Sequence, residues 1–206
     1  MGTSVIQLCG VAALCFLVGS INPATILARA LGRDLRSSGS GNPGATNAAR
    51  VLGPRWGVVV LLLDVAKAWL PSLLVLRTMG TLAAIVAGTA VVLGHMFSPF
   101  LRGKGGKGVA SALGALLAIA PWVALGAVVV FVLAKTVLPF VGEASVVTML
   151  VVATVGVAGA AGVVPGVSQL VGGWLIVLPL LVLSRHQRNI RAWLMRRKHR
   201  RAAPGS

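Results

Sequence analysis

Three short stretches of this chain hold most of its reactive side chains. Residues 32–53 read GRDLRSSGSGNPGATNAARVLG, residues 94–111 read GHMFSPFLRGKGGKGVAS, and residues 184–201 read SRHQRNIRAWLMRRKHRR. All three are rich in cations, the first two in glycine, and only one carboxylate, Asp34, lies among them. Such a set suits phosphate-bearing molecules, because Arg and Lys make charge-assisted hydrogen bonds to phosphate oxygens. In the first stretch the segment from Gly39 through Ser40, Gly41, Asn42 and Pro43 to Gly44 is too glycine-rich for a helix. Its backbone N–H groups can form an anion-binding nest, although taken alone it reads equally well as a flexible turn. Thr46, Asn47 and Arg50 follow. Ser40, Thr46 and Asn47 add side-chain donors near an expected helix start, where the dipole also favours an anion. The second stretch places Lys104, Gly105, Gly106, Lys107 and Gly108 just ahead of another expected helix. It is not a nucleotide-binding P-loop, since Gly108 stands where a hydroxyl must follow the lysine. In the third, Arg185, His186 and Asn189 lie within one helical turn and can face one way. Beyond Arg191 the run of cations suits an anionic lipid surface.

Other chemistries find no support. The histidines, at 95, 186 and 199, show no ligand spacing, so neither a zinc site nor any other metal site is expected. The acids are Asp34, Asp64 and Glu143, and no GxSxG serine is present, which disfavours nucleophilic catalysis. Asp64 and Lys67, three apart inside an apolar run, are expected to neutralise each other. His95, at the end of another run, reads first as a hydrogen-bonded packing residue. Cys9 and Cys15 sit on different faces of the first run and read as apolar filler.

The elements that must carry these stretches are apolar. Of 206 residues 57% are hydrophobic and 11% charged, with 19 Lys and Arg against 3 acids and a formal net charge of +16. The mean hydropathy is +0.93. This excludes an ordinary soluble enzyme and a disordered basic tail, and points to a membrane protein whose cations face lipid or a phosphorylated substrate. No basic n-region marks the first apolar segment as a cleavable signal, so it is expected to remain. A span needs roughly 20 apolar residues. The candidates are 5–31, 57–76, 82–97, two shorter helices divided at Pro121 within 109–138, 145–161 and 167–184. With seven spans, the N-terminus outside and the C-terminus cytoplasmic, nearly every cation outside the spans falls on the inner side and only Arg77 falls outside. All three polar stretches then share the cytoplasmic face. One transmembrane domain over 1–206 is expected, ending in a basic tail over 192–206.

With these stretches in hand, the sequence resembles the bacterial acyl-phosphate:glycerol-3-phosphate acyltransferases of the PlsY type over nearly its whole length. GSGNPGATN with Arg50, GHMFSPF with KGGKGVAS, and HQRNI stand in that family's order and spacing. The resemblance implies an all-α, seven-helix enzyme of the bacterial inner membrane with its active site facing the cytoplasm. It implies transfer of a fatty acyl group from acyl phosphate to the 1-hydroxyl of sn-glycerol 3-phosphate, with membrane lipids as the other partner and no cofactor, metal or nucleic acid. It also implies a site made of Ser40, Gly41, Asn42, Thr46, Asn47 and Arg50, of Lys104, Gly105, Gly106 and Lys107, and of His186 and Asn189. Arg50, Lys107 and His186 are the expected catalytic members, with His186 either the base or a hydrogen-bond donor to phosphate. Three departures stand out: Gly103 where the family often has Phe, no Tyr-x-Ser within Pro139–Glu143, and Arg196-Arg197-Lys198 where an acid is usual. From the residues alone the alternatives are a small transporter of phosphorylated anions and a structural lipid-binding protein.

Overall fold

The structure, a computed structural model, describes residues 3–202, with side chains through residue 196. Among the described residues every regular element is helical: α1 (Val5–Ser20), α2 (Pro23–Ala30), α3 (Ala45–Leu52), α4 (Pro54–Met79), α5 (Thr81–Met96), α6 (Val109–Ile119), α7 (Pro121–Val137), α8 (Val141–Ala160), α9 (Gln169–Ser184) and α10 (Gln187–Ala202), with a 3₁₀ turn at Pro99–Leu101. Four stretches are long and apolar enough to cross a membrane: Val5–Ala30 across α1 and α2, α4, Thr81–Leu101, and α8. A fifth is added if α9 and the start of α10, bent by 73°, count as one broken span, while α6 and α7 are apolar but shorter. Of the expected tail, residues 203–206 and the side chains from Arg197 onward lie outside the described residues.

The molecule carries its apolar side chains outward. Ile6 is 84% exposed and Val137 82%, whereas Asp64 is 1% exposed, the reverse of a water-soluble protein and the arrangement that lipid solvation favours. Helices therefore pack through small residues. A Cβ on Gly19 of α1 would strike the backbone of Val91 on α5, and one on Gly94 of α5 would strike Phe16 on α1. Gly114 holds α6 against Val65 of α4 in the same way, and Gly156 and Gly172 join α8 to α9.

Two breaks shape the site. The division at Pro121 falls where expected. The first apolar run, expected to be continuous over 5–31, is instead interrupted at Ile21 and Asn22. Pro23 supplies no N–H and pushes its predecessor to extended backbone. Asn22 accordingly takes φ −113°, ψ 100° and caps α2 by accepting from the Thr25 amide at 2.8 Å. The carbonyls freed by the break find side-chain donors: Ser98 Oγ donates to Ser20 at 2.7 Å and Lys67 Nζ to Ile21 at 2.8 Å. Asn22 Nδ2 donates to the Pro43 carbonyl at 3.0 Å. The broken span thus anchors both glycine loops.

Candidate active site

The first loop is held by one buried amide. Asn47, 1% exposed, accepts from the Ser40 N–H at 2.8 Å and donates to the carbonyls of Leu35 and Ser38 at 3.0 and 3.1 Å. Its side chain is spent on the loop, so it positions Ser40 rather than serving as the substrate donor expected from the sequence. The expected nest of glycine N–H groups is also absent in that form. The Gly41 amide donates to Ser38, that of Gly44 to Asn42, and those of Gly105 and Gly106 to Met96 and His95. Glycine is required at 105 and 106 for closeness instead, because a Cβ there would collide with the Met96 and His95 carbonyls or with the His95 ring.

Free amides come from helix starts. The opening N–H groups of a helix have no intrahelical acceptor and carry the positive end of its dipole. Ala45 and Thr46 at the start of α3, and Gly108, Val109 and Ala110 at the start of α6, line one cavity of about 610 Å³. The helix start at α3 was legible in the sequence, whereas the role of Gly108 to Ala110 was not singled out. Arg50, Lys107, Ser40, Asn42, His186 and Asn189 line the same cavity. Apolar side chains line it too, with Val58 and Leu61 of α4 and Phe131 of α7, and Asp64 and His95 also border it. A second cavity of about 730 Å³ is lined by Gly41, Lys104, Gly105, Arg185, Arg188 and Arg196, and shares Ser40, Asn42, Lys107 and Asn189 with the first. The structure therefore brings all three polar stretches together. Of the expected residues, only Gly106 lines neither cavity.

Lys107 and Asn189 stand where the cavities meet, with Lys107 Nζ donating to Asn189 Oδ1 at 2.7 Å. Burial pulls the Lys107 ammonium below the usual lysine range. Asn189 fits there because its neighbour is glycine: a Cβ on Gly142 would overlap its amide. His186 is 1% exposed. Burial holds its imidazole below the ordinary range, opposed by the Val182 carbonyl and aided by the Lys107 charge. Its Nδ1 lies 2.8 Å from that carbonyl. A carbonyl only accepts, so Nδ1 carries the hydrogen and neutral His186 presents an unprotonated Nε2. Of the two roles left open for His186, this geometry suits the acceptor, since a neutral ring so held presents no N–H to phosphate but can accept from a hydroxyl.

Two of the acids, Asp34 and Glu143, line neither cavity and are not placed to act as bases there. Asp34 is exposed and borders neither cavity, and the Arg36 backbone N–H holds its carboxyl below the usual range. Glu143, buried in the first turn of α8, pairs with Arg196 of α10, whose guanidinium also lies 4.4 Å from the Phe140 ring centre. Arg196 thus meets an acid on α8. Asp64 and Lys67 are paired at 2.8 Å, as their spacing implied. Among the described residues, no group of three or more His, Cys, Asp or Glu is placed to hold a metal ion.

Comparison with known proteins places this geometry. Residues 9–196 match the family model described as glycerol-3-phosphate acyltransferase. The glycerol-3-phosphate acyltransferase of Aquifex aeolicus (strain VF5) is 39% identical over 187 residues, covering 90% of this chain and 94% of that protein. That of Geobacter sulfurreducens is 38% identical over 183 residues, covering 87% and 90%. A crystal structure of PlsY (YgiH), an integral membrane glycerol 3-phosphate acyltransferase in its glycerol 3-phosphate form, superposes with a TM-score of 0.83 at 36% identity, covering 93% of this chain and 94% of that one. Its lysophosphatidic acid form gives 0.80 at 35% identity. The matched residues take in the first two polar stretches and the third as far as residue 196, and on this match the chain belongs to the glycerol-3-phosphate acyltransferase family of the PlsY type.

Proposed function

We propose that this chain is an integral membrane enzyme that moves a fatty acyl group from acyl phosphate to the 1-hydroxyl of sn-glycerol 3-phosphate, giving lysophosphatidate and inorganic phosphate. One observation carries the reading: a single cavity joins an anion-binding rim, with Arg50, Lys107 and the starts of α3 and α6, to an apolar wall at Val58, Leu61 and Phe131. A donor with a phosphate head and an alkyl chain matches both parts. The adjoining basic cavity, which shares Lys107 and Asn189, gives the second phosphate-bearing substrate its own place.

In the reaction the glycerol hydroxyl oxygen bonds to the acyl carbon and the bond from that carbon to the phosphate oxygen breaks. Phosphate leaves with the electron pair, and the hydroxyl proton ends on a phosphate oxygen. His186 Nε2 accepts the hydroxyl hydrogen and aims its oxygen at the acyl carbon. Arg50, Lys107 and the helix-start amides hold the phosphates. Acyl phosphate is an activated mixed anhydride with a good leaving group, so positioning and charge stabilisation supply the catalysis. The reading places seven spans in the bacterial cytoplasmic membrane as one domain, N-terminus outside and C-terminus inside. The site faces the cytoplasm and the basic tail lies at the anionic lipid surface.

The test is donor choice. Purified protein in detergent, given acyl phosphate and glycerol 3-phosphate, is expected to release phosphate and lysophosphatidate one for one, with neither substrate sufficing alone. Acyl-CoA is expected to fail as donor, since no His-x-x-x-x-Asp pair is present: Phe100 and Arg191 stand five residues after His95 and His186. Equal rates from acyl-CoA would overturn the donor assignment. Binding of glycerol 3-phosphate without product would favour a transporter.

A further inference from the structure

The turn between α9 and α10 sends neighbouring residues to different cavities. His186 lines the first cavity and not the second, Arg185 lines the second and not the first, and Asn189 lines both. Their spacing allows the three to face one way, but the chain bends by 73° between the two helices and divides them. The Arg185 amide closes α9 on the Val182 carbonyl, and α10 sets off from Gln187 in the new direction. The Arg185 side chain is then fixed from two sides. Its guanidinium donates to the Gly105 carbonyl at 3.3 Å, and the guanidinium carbon lies 5.3 Å from the centre of the Phe97 ring. Gly105 lines the same second cavity, with Lys104 before it and Lys107 two residues on. The reaction above gives Arg185 no part.

The charge of this cavity selects its ligand. Lys104, Lys107, Arg185, Arg188 and Arg196 line it, and no carboxylate does. Among the described residues only Arg196 of these five is paired with an acid, Glu143. The other four cations share one space without a counter-charge, and a bound dianion relieves their repulsion. A phosphate monoester is close to a dianion at pH 7, since its second pKa is about 6. Arg185 differs from the rest of the set in being held in place. Lys104 and Arg188 are exposed, whereas Arg185 is half-buried and already anchored, so little side-chain freedom is lost when it binds. The Gly105 carbonyl engages one of the guanidinium's five N–H groups, which leaves an edge able to meet two phosphate oxygens. We infer that Arg185 binds the phosphate of glycerol 3-phosphate and sets the affinity for that substrate, without serving the acyl donor in the first cavity. Lys107, on the wall common to both cavities, serves either phosphate. The inference rests on the acyltransferase reading and adds a binding residue to it.

The test compares Arg185→Gln and Arg185→Lys with Arg191→Gln. Arg191 lies on α10, is exposed and borders neither cavity, so its loss removes the same charge without the contact. Arg185→Gln is expected to raise the KM for glycerol 3-phosphate about 10- to 100-fold, the range for losing a hydrogen bond to a charged group. The KM for acyl phosphate, and kcat once glycerol 3-phosphate saturates, should move less than about three-fold, as befits a contact equal in ground and transition states. Arg185→Lys keeps the charge and loses the fork, so it should fall between. Arg191→Gln should stay within about two-fold of wild type in every constant, since salt screens a charge that makes no contact. A role confined to holding Gly105 would disturb Lys104 and Lys107 and shift the constants of both substrates together. That result, an equal rise in Arg191→Gln, or a folded Arg185→Gln with unaltered KM for glycerol 3-phosphate would overturn the inference. Calorimetric titration of glycerol 3-phosphate into the detergent-solubilised protein, with no donor present, reads the same contact without turnover, and Arg185→Gln should weaken Kd by a similar factor. Equal Kd in wild type and Arg185→Gln would refute the role of Arg185. A wild-type protein that binds glycerol 3-phosphate and forms no product from acyl phosphate would instead strike at the proposed function.

Discussion

At the scale of residues, the site divides into side chains that meet the substrates and side chains that hold others in place. Lys107 belongs to the first kind. Its folded-state pKa is lowered by burial, so the ammonium is lost as pH rises before an ordinary lysine, near about 10.4, would lose it. Activity is expected to decline on the alkaline side below that value, and Lys107→Arg, if active, should remove the limb because guanidinium does not titrate there. The stability link runs in the matching direction: between the lowered and the ordinary value the unfolded chain binds more protons, so stability rises with pH across that window. His186 is likewise lowered, so it is neutral at pH 7 and its site costs stability as pH falls through the unfolded value near about 6.5. Asn47 belongs to the second kind. Asn47→Ala removes three hydrogen bonds and should cost about 3 kcal/mol, read as a lower melting temperature together with lost activity. Residue chemistry was the most legible level, because cations and amides declare phosphate binding by type. What stayed hidden was direction. Nothing in HQRNI says that the Val182 carbonyl takes the His186 Nδ1 hydrogen, and nothing in KGGKG says that Met96 and His95 take the glycine amides.

At the scale of elements, the site depends on how α10 docks. The start of α8 and its N-cap residue offer it three contacts: Glu143 to Arg196, Phe140 against the same guanidinium, and Gly142 against Asn189. Gly142→Ala is expected to push Asn189 off Lys107 and raise the KM for the phosphate substrates about ten-fold or more, the equivalent of a lost hydrogen bond to a charged group. Arg196→Ala leaves Glu143 buried without its partner and should lower the melting temperature as well. A Gly142→Ala enzyme with unaltered KM would show that Asn189 is free to move. Helix positions were largely readable from hydropathy and proline, including the split at Pro121. The break at Asn22 was not, since Asn-Pro inside an apolar run is compatible with a kinked continuous helix, and only the donors Ser98 and Lys67, distant in sequence, make the open break stable.

At the scale of the whole molecule, the helices bring the three polar stretches together around two adjoining cavities, and the proposed orientation puts them in the cytoplasm. In a Cys-free background, cysteines at Ser38, Gly103 and Ala192 are expected to react with an impermeant thiol reagent only after the inner face is opened, and one at Gly80 from outside intact cells. Labelling at Ser38 from outside would invert the orientation. Convergence of the polar stretches was legible because charge asymmetry gathers all three on one expected side, while the helix-start cradle and the two adjoining cavities were not, because they depend on where α3 and α6 point once packed. The central claim is that one cation-lined cavity performs acyl transfer between two phosphate-bearing substrates. Its most direct test is steady-state kinetics of Arg50→Ala and Lys107→Ala beside wild type, with acyl phosphate and glycerol 3-phosphate and with melting temperature measured on the same preparations. Losing a charge-assisted phosphate contact costs about 2 to 5 kcal/mol, so each variant should fall about 30-fold to about 4,000-fold in kcat/KM at nearly unchanged melting temperature. Well-folded variants that retain near wild-type rates would contradict the account.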